Sequence, residues 1–280
     1  MSAEVVVGVG GTGSSENAVR WGAEQAAVAE AELVLLHAVG HRHAARAHAR
    51  DDAAQAAAQQ MLAREEARAR HEWPDLKVRT ETSTDTAARC LTARSSTAQL
   101  LMLGTHRLGP AQRVFSGSAA YQVVAGAHCP VAVVPPLHRL PEGVVVVGVD
   151  GSAESAEALQ AAAREAVRTG SVLEVVHAWQ DPRPLWDVRV PPDLGSSSQP
   201  AEQLLLDSST SGLEEQHPGL EVRRRLVREQ PAAALLEAAS AARLLVVGSR
   251  GLHGVPRVLL GSTSHAVVLH APCPVLVVRP

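Results

Sequence analysis

Two glycine-containing turns are the part of this chain best suited to binding an anion. Gly248 and Gly251 directly follow an apolar run that predicts a buried parallel strand. After nine intervening residues, Gly261 and Ser262 precede residues 263–270, which predict a helix with Ser262 near its N-cap. Glycines let a ligand approach the backbone, and the N–H groups at a helix start favour negative charge. The pattern predicts a phosphate site; a glycine-rich turn without a ligand is the alternative interpretation.

The same stretch is not a Walker A loop. The chain has no Gly-Lys-Ser/Thr sequence, and Lys77 is its only lysine. The lysine that usually contacts the β- and γ-phosphates is therefore missing. We expect phosphate binding without fast hydrolysis and without catalytic residues.

The chain contains two copies of one sequence. Residues 5–18 and 145–158 share 8 of 14 identities, and residues 104–134 and 248–278 share 14 of 31. A repeat of about 140 residues is too long for a solenoid and predicts two domains. The short, proline-rich segment 135–143 predicts the linker.

The second copy resembles the universal stress protein family. Gly248, Gly251, Gly261 and Ser262 match the ATP-binding pattern of that family. Three further segments match the first strand with its acidic turn, the end of the second strand and the last strand: residues 145–152, 177–179 and 271–278. The match is specific in the second copy and degraded in the first.

This resemblance implies an α/β fold of two tandem Rossmann-like domains. Each domain is expected to be a five-stranded parallel sheet with helices on both faces, which also fits the alternation of strand and helix patterns. The implied strand order is 3-2-1-4-5, with a nucleotide crevice above strands one and four. We expect the domains at residues 1–136 and 143–280.

The resemblance also implies which residues of the second domain contact ATP. The aspartate contacts the adenosine part, and the glycines and Ser262 contact the phosphates. The full expected set is Asp150, Ala178, Gly248, Arg250, Gly251, Gly261, Ser262 and Thr263. The implied function is an ATP-dependent sensor or regulator in stress response, and not an enzyme. An adenine-nucleotide-dependent enzyme with slow hydrolysis and a nucleotide-independent interaction protein are the alternatives.

The first copy has lost parts of this pattern. Gly10 aligns with Asp150, so the carboxylate is absent. Arg107 aligns with Gly251, which places a Cβ where a positive φ is expected. Arg107 is also able to bind phosphate itself. We expect weak or no ATP binding here, although Gly104, Gly117 and Ser118 are retained.

Other local patterns favour structural roles. Gly8, Gly10 and Gly13 fit G-x-G-x-x-G, but no acid follows at the end of strand two, so NAD binding is not expected. His37 aligns with His177 and is expected to be structural. The remaining local histidines, His41, His43 and His48, are expected on a solvated turn and helix rather than on a metal.

The cysteines predict neither disulfides nor catalysis. Cys129 and Cys273 align, each before a proline, and are expected to be small buried groups. Cys90 has no evident base nearby and is not expected to be a nucleophile.

Secondary structure follows the hydrophobic pattern. In the first copy we expect strands at 4–9, 33–39, 76–82, 99–103 and 131–134, and helices at 14–29, 44–72, 86–96 and 117–125. In the second copy, residues 180–200 are rich in proline and serine and predict a loop beside the crevice, either solvated or acting as a lid. Pro231 predicts the first position of a helix at 232–241.

Composition excludes several classes of partner. The net charge of −3 gives no electrostatic reason to expect binding to nucleic acid or to an anionic membrane. No apolar run approaches the roughly 18 residues of a membrane-spanning helix, and the N-terminal residues lack a signal-peptide pattern. We expect a cytoplasmic protein.

The last strand of each copy predicts an assembly contact. An apolar edge strand needs a partner or a cover. Dimers in the family are implied to join through such edges, so the two fifth strands are expected to pair within one chain, with Val133 near Val277. One chain is then a pseudo-dimer; a homodimer of chains is also possible, and the protein partner is unknown.

Overall fold

The structure, a computed structural model, describes residues 3–11, 13–40, 48–105, 119–137, 142–180, 198–251 and 260–279. The chain divides into two compact units. Unit 1 comprises Met1–Leu140 with Pro274–Val277, and unit 2 comprises Pro141–Cys273 with Val278–Pro280. Among the described residues, every helix is too short or too polar to cross a lipid bilayer.

Unit 1 alternates strands and helices along the chain, as its sequence predicts. Its strands are β1 (Glu4–Gly8), β2 (Glu32–Ala38), β3 (Val78–Ser83), β4 (Leu100–Gly104) and β5 (Val131–Val134). Its helices are α1 (Gly13–Val28), α2 (His48–Glu72), α3 (Ala87–Arg94) and α4 (Ala119–Gly126). Residues 44–47, 117 and 118, which the sequence places in helices, lie outside the described residues.

The five strands of unit 1 form a parallel sheet in the order β3-β2-β1-β4-β5, so the expected order 3-2-1-4-5 is found. Val5, Val6 and Val7 of β1 are at most 1% exposed. A strand covered on both faces reads as a continuous apolar run, which is why β1 could be recognised in the sequence.

One further strand, β10 (Val275–Val278), pairs antiparallel with β5 through Val275–Val277, which belong to unit 1. Val275 lies opposite Val133, and Val277 lies opposite Val131. Val133 and Val277, the predicted neighbours, are therefore not paired with each other. The partner of Val133 is Val275, two residues before Val277. The pseudo-dimer itself stays a prediction.

Unit 2 repeats the plan of unit 1. Its strands are β6 (Val145–Gly148), β7 (Leu173–Ala178), β8 (Val222–Val227) and β9 (Leu244–Gly248). Its helices are α5 (Ala153–Thr169), α6 (Gln199–Ser209), α7 (Leu213–Gln216), α8 (Pro231–Ala238) and α9 (Ser262–His270), and a 3₁₀ turn, Ala239–Ala241, follows α8. The strands are parallel in the order β9-β6-β7-β8, so their carboxyl ends share one edge.

Helix α5 shows how local sequence sets the bounds of an element. Ser152 is its N-cap, and its hydroxyl accepts a hydrogen bond from the Ser155 N–H at 3.1 Å. Gly170 ends the helix with φ +61°, a left-handed conformation that glycine adopts without strain. Glu154 in the first turn and Arg168 in the last turn complement the helix dipole.

Two predictions near the crevice need correction. Gln199 and Pro200 were expected in a loop, but they begin α6 after Ser198, because a proline is well accommodated in the first turn of a helix. Residues 181–197 of that predicted loop lie outside the described residues. Pro231 is the first residue of α8, as predicted, but the regular helix ends at Ala238.

Candidate functional site

A cavity of about 610 Å³ opens at the carboxyl edge of the unit 2 sheet. The ends of β6, β7 and β9, the start of α9 and one side of α6 line it. All eight residues expected at the site are among its lining: Asp150, Ala178, Gly248, Arg250, Gly251, Gly261, Ser262 and Thr263. They meet because parallel strands end at the same edge of the sheet. Their role in binding stays a prediction.

The turn after β6 fixes the carboxylate of Asp150. Both the backbone N–H and the hydroxyl of Ser152 donate to Asp150 Oδ1, at 3.0 and 2.6 Å. Gly151 makes the turn possible with φ +83°, a conformation that other residues rarely adopt. Two hydrogen bonds therefore orient one carboxylate oxygen before any ligand arrives.

The second oxygen of the same carboxylate explains Gly251. A Cβ built on Gly251 would collide with Asp150 Oδ2. Gly251 is not among the glycines with positive φ, so the positive φ expected at this position is not found. What requires glycine here is the close approach of the aspartate from the neighbouring strand end.

Gly248 serves the packing of β9 against α5. A Cβ at this position would lie 2.9 Å from the carbonyl carbon of Glu154 and 3.0 Å from its oxygen. The equivalent Gly104 of unit 1 is packed in the same way, with a built Cβ only 2.6 Å from the Ser15 nitrogen. This glycine brings strand and helix together, a role that the sequence pattern did not reveal.

We therefore expect Gly248→Ala to lower the free energy of unfolding by about 2 kcal/mol, because the added methyl group forces β9 and α5 apart. Gly261→Ser is the control, since a Cβ at Gly261 meets its nearest atoms at 3.5 Å, an ordinary contact. Serine is also a favoured N-cap residue. Denaturant midpoints of the two variants and the parent give the comparison; equal stability of all three would contradict it.

The start of α9 provides backbone donors to the cavity. Gly261 is the N-cap, with φ −66° and ψ 155°, and its carbonyl accepts the His265 N–H at 2.8 Å. Ser262 is thus the first helical residue rather than the predicted N-cap, and the helix begins one residue earlier than predicted. The Ser264 hydroxyl donates to the Gly248 carbonyl at 2.6 Å and ties α9 to β9. The N–H groups of a helical first turn have no acceptor within their own helix.

Arg250 adds a positive charge beside the start of α9. Its Nε lies 3.5 Å from Glu154 Oε1, and its side chain is 40% exposed. A guanidinium with this exposure can turn toward an anion in the cavity. The cavity therefore has a carboxylate, Asp150, from one strand end and two features that attract anions, Arg250 and the α9 N-terminus, from the next.

The structure reveals a contact that the sequence did not predict. His177 Nδ1 lies 2.8 Å from the Val149 carbonyl oxygen, and His37 Nδ1 makes the same contact to Val9 at 2.7 Å, as its expected structural role requires. In unit 2, His177 Nε2 also lies 2.6 Å from Glu202 Oε2 of α6. Residue spacing alone does not show that α6 places a carboxylate in the cavity.

An aromatic contact closes the β7 end of the same cavity. Trp179 is 9% exposed and lines the cavity, and the Arg228 guanidinium carbon lies 5.4 Å from its ring centroid. Val39 is the aligned residue of unit 1, so this aromatic wall is particular to unit 2.

The corresponding edge of unit 1 has a cavity of about 280 Å³, lined by Gly10, Gly104 and Thr105 among others. Gly10 offers no carboxylate. Gly8, the first residue of the G-x-G-x-x-G pattern, accommodates Leu91, which a built Cβ would meet at 2.9 Å. That glycine therefore has a packing role in unit 1. Arg107, Gly117 and Ser118 lie outside the described residues.

The cysteines are structural groups. Cys129 and Cys273 are buried, which confirms the prediction, and burial raises the pKa of Cys273 to about 12. Burial also raises the pKa of Cys90, the largest effect on that thiol. The thiols of Cys90 and Cys273 are therefore protonated at neutral pH and are poor nucleophiles.

Comparison with known proteins gives the same family over both halves of the chain. The model of the universal stress protein family matches residues 1–135 and 143–279. A universal stress protein of Mycolicibacterium smegmatis is 35% identical over 294 residues, covering 99% of this chain and 97% of the relative. One from Mycobacterium tuberculosis is 34% identical over 293 residues, covering 98% and 96%.

A solved structure shows the same fold. The crystal structure of a universal stress protein from Archaeoglobus fulgidus has a TM-score of 0.75 at 19% identity, covering all of this chain and 99% of that one. Two matches of one family model, full-length relatives and this shared fold lead to one conclusion: the chain belongs to the universal stress protein family, in a tandem two-domain form.

Proposed function

We propose that unit 2 binds one ATP molecule in its cavity and that the bound nucleotide regulates a response to stress. Membership of the universal stress protein family supports the stress-response role. The observation that carries the nucleotide proposal is a single cavity of about 610 Å³ with an oriented carboxylate at one strand end and a helix N-terminus at the next.

The charges of the cavity suit the two ends of a nucleotide. Asp150, with one oxygen held by Ser152, accepts hydrogen bonds from sugar hydroxyls. Arg250 and the first turn of α9 attract the phosphates. Phosphates bound by Arg250 and the first turn of α9 exchange their hydrogen bonds to water for charge-assisted hydrogen bonds to the protein. Occupied and empty states then differ in free energy, which is what a nucleotide-dependent change of conformation requires.

Unit 1 lacks two of these elements. Gly10 removes the carboxylate, and the aligned position for Gly251 carries Arg107. The two exchanges are compatible with each other, because a site without the carboxylate has no need for a glycine beside it. The joint loss of the aspartate and the glycine in unit 1 supports an assignment of ATP to unit 2 alone.

Hydrolysis of the bound ATP is expected to be negligible or very slow. The sequence has no lysine near the glycine turns, and the groups that the described residues place at the phosphate end, namely Arg250, backbone N–H groups and hydroxyls, do not activate water. The test incubates purified protein with ATP and measures both the nucleotide retained after desalting and the phosphate released. Retained ATP without released phosphate is the expected result.

The same experiment separates the alternatives. Turnover of about 1 per second or more would mean an enzyme. Neither retained nucleotide nor released phosphate would mean a nucleotide-independent interaction protein. Either outcome would contradict the proposed function.

A further inference from the structure

The His177 ring connects α6 to the strand edge of the cavity. Its Nδ1 lies 2.8 Å from the Val149 carbonyl oxygen and its Nε2 lies 2.6 Å from Glu202 Oε2. The side chains of His177 and Glu202 are only 6% and 15% exposed. Both residues line the cavity that we propose for ATP.

The two contacts together require an additional proton. A carbonyl oxygen can only accept, so the Nδ1 of His177 must carry a proton and donate it to Val149. A neutral ring then has a lone pair on Nε2, and an ionised Glu202 offers only lone pairs in return. The 2.6 Å contact is therefore attractive only with one more proton, carried either by Nε2 or by the Glu202 carboxyl group.

Unit 1 has the histidine, but an alanine occupies the position that matches Glu202. Met61 of α2 and Leu205 of α6 occupy equivalent positions in the two units. The Met61 sulfur lies 2.8 Å from a Cβ built on Gly11, and Leu205 lies 3.3 Å from a Cβ built on Gly151. Glu202 is three residues before Leu205, and the residue three before Met61 is Ala58. The acid is thus particular to the unit that has the complete ATP pattern.

We propose that Glu202 is a positioning residue of the nucleotide cavity. It fixes the His177 ring at the β7 end of the cavity, and the hydrogen bond between the two side chains forms only while the pair keeps its additional proton. ATP affinity of unit 2 therefore falls as the pH rises and this proton is lost. The inference rests on the proposed function and adds a regulatory input to the same site.

The other charged groups around the pair are few within the described residues. Asp150 at the end of β6 and Arg250 after β9 line the cavity, and Arg228 after β8 covers Trp179. The lining residues of α8, Pro231 and Leu235, carry no charge. Each of these groups is present unchanged in variants at position 202.

The matched variant is Glu202→Gln. A glutamine amide has nearly the shape of the acid and donates a hydrogen bond to neutral Nε2, so it keeps the contact without the additional proton. ATP affinity of parent and E202Q is measured by calorimetry between about pH 5.5 and about pH 8.5. The ratio of the parent affinity to the E202Q affinity at each pH removes the effect of the protonation of ATP, which is the same for both proteins.

We expect the parent to lose about tenfold more affinity than E202Q across this range. Glu202→Ala, which removes the contact, is expected to bind weakly at every pH, and its melting temperature reports whether the fold is intact. Parallel pH profiles of parent and E202Q would overturn the positioning role.

A second readout needs no nucleotide. The side-chain ¹⁵N signals of His177, assigned by comparison with His177→Asn, are expected to differ between the parent and E202Q at the same pH, because only the parent pair shares an additional proton. Identical signals in both proteins would overturn the shared proton. If the signals differ as expected but the parent binds no ATP, the proposed function and the positioning role are both overturned. If the parent binds ATP but its pH profile is parallel to that of E202Q, only the positioning role is overturned.

Discussion

Gly251→Arg is expected to weaken ATP binding by unit 2 about a hundredfold or more, which corresponds to about 2.7 kcal/mol. The cause is steric and electrostatic. Any Cβ at position 251 collides with Asp150 Oδ2, so the carboxylate must leave the orientation that Ser152 gives it. The guanidinium would also neutralise the carboxylate that is proposed to accept hydrogen bonds from the sugar. Calorimetric titration with ATP measures the loss.

The control for this variant is Gly13→Arg. Gly13 begins α1 in unit 1, and a Cβ built there has no atom within 4 Å. The same side chain is therefore added without a collision and outside the unit 2 cavity. ATP affinity of this control is expected to equal that of the parent. A Gly251→Arg protein that also binds ATP like the parent would mean that Asp150 and Gly251 do not shape the site.

The second large effect is expected from Val277→Asp, which should lower the free energy of unfolding by about 4 kcal/mol. Val277 is 1% exposed, in the centre of β10, opposite Val131 of β5. An ionised carboxylate there would be buried among apolar residues without a partner. The midpoint of denaturant unfolding reports the loss.

Leu276→Asp is the matched control, because adjacent residues of a strand point to opposite faces of the sheet. Leu276 is partly exposed, so its charge keeps contact with solvent, and a smaller loss is expected. If both variants lost the same free energy, the buried face assigned to β10 would be wrong.

Strands were the easiest elements to predict from the sequence. Runs such as Val5–Val7 and Val145–Val147 are buried on both faces, and this burial is what makes them continuous and apolar. Strand order is set by contacts between distant segments. It came from the family resemblance, and the parallel ladders of unit 1 confirm it.

The reasons behind the site residues were harder to predict than their positions. Gly251 lines the cavity, but the collision that a side chain would make there involves Asp150, about 100 residues earlier in the chain. Gly248 likewise has a packing role that depends on Glu154 of α5. Glu202 could not be selected, because nothing in a helix sequence shows which strand end its side chain reaches.

The most direct test of the central claim is the number of ATP molecules bound per chain, measured by calorimetry. We predict one site in the parent, lost in Asp150→Asn and retained in Asp207→Asn, an exposed position of α6 where the amide can still pair with Gln203. Two equivalent sites in the parent, or one site that survives Asp150→Asn unchanged, would contradict the assignment of ATP to unit 2.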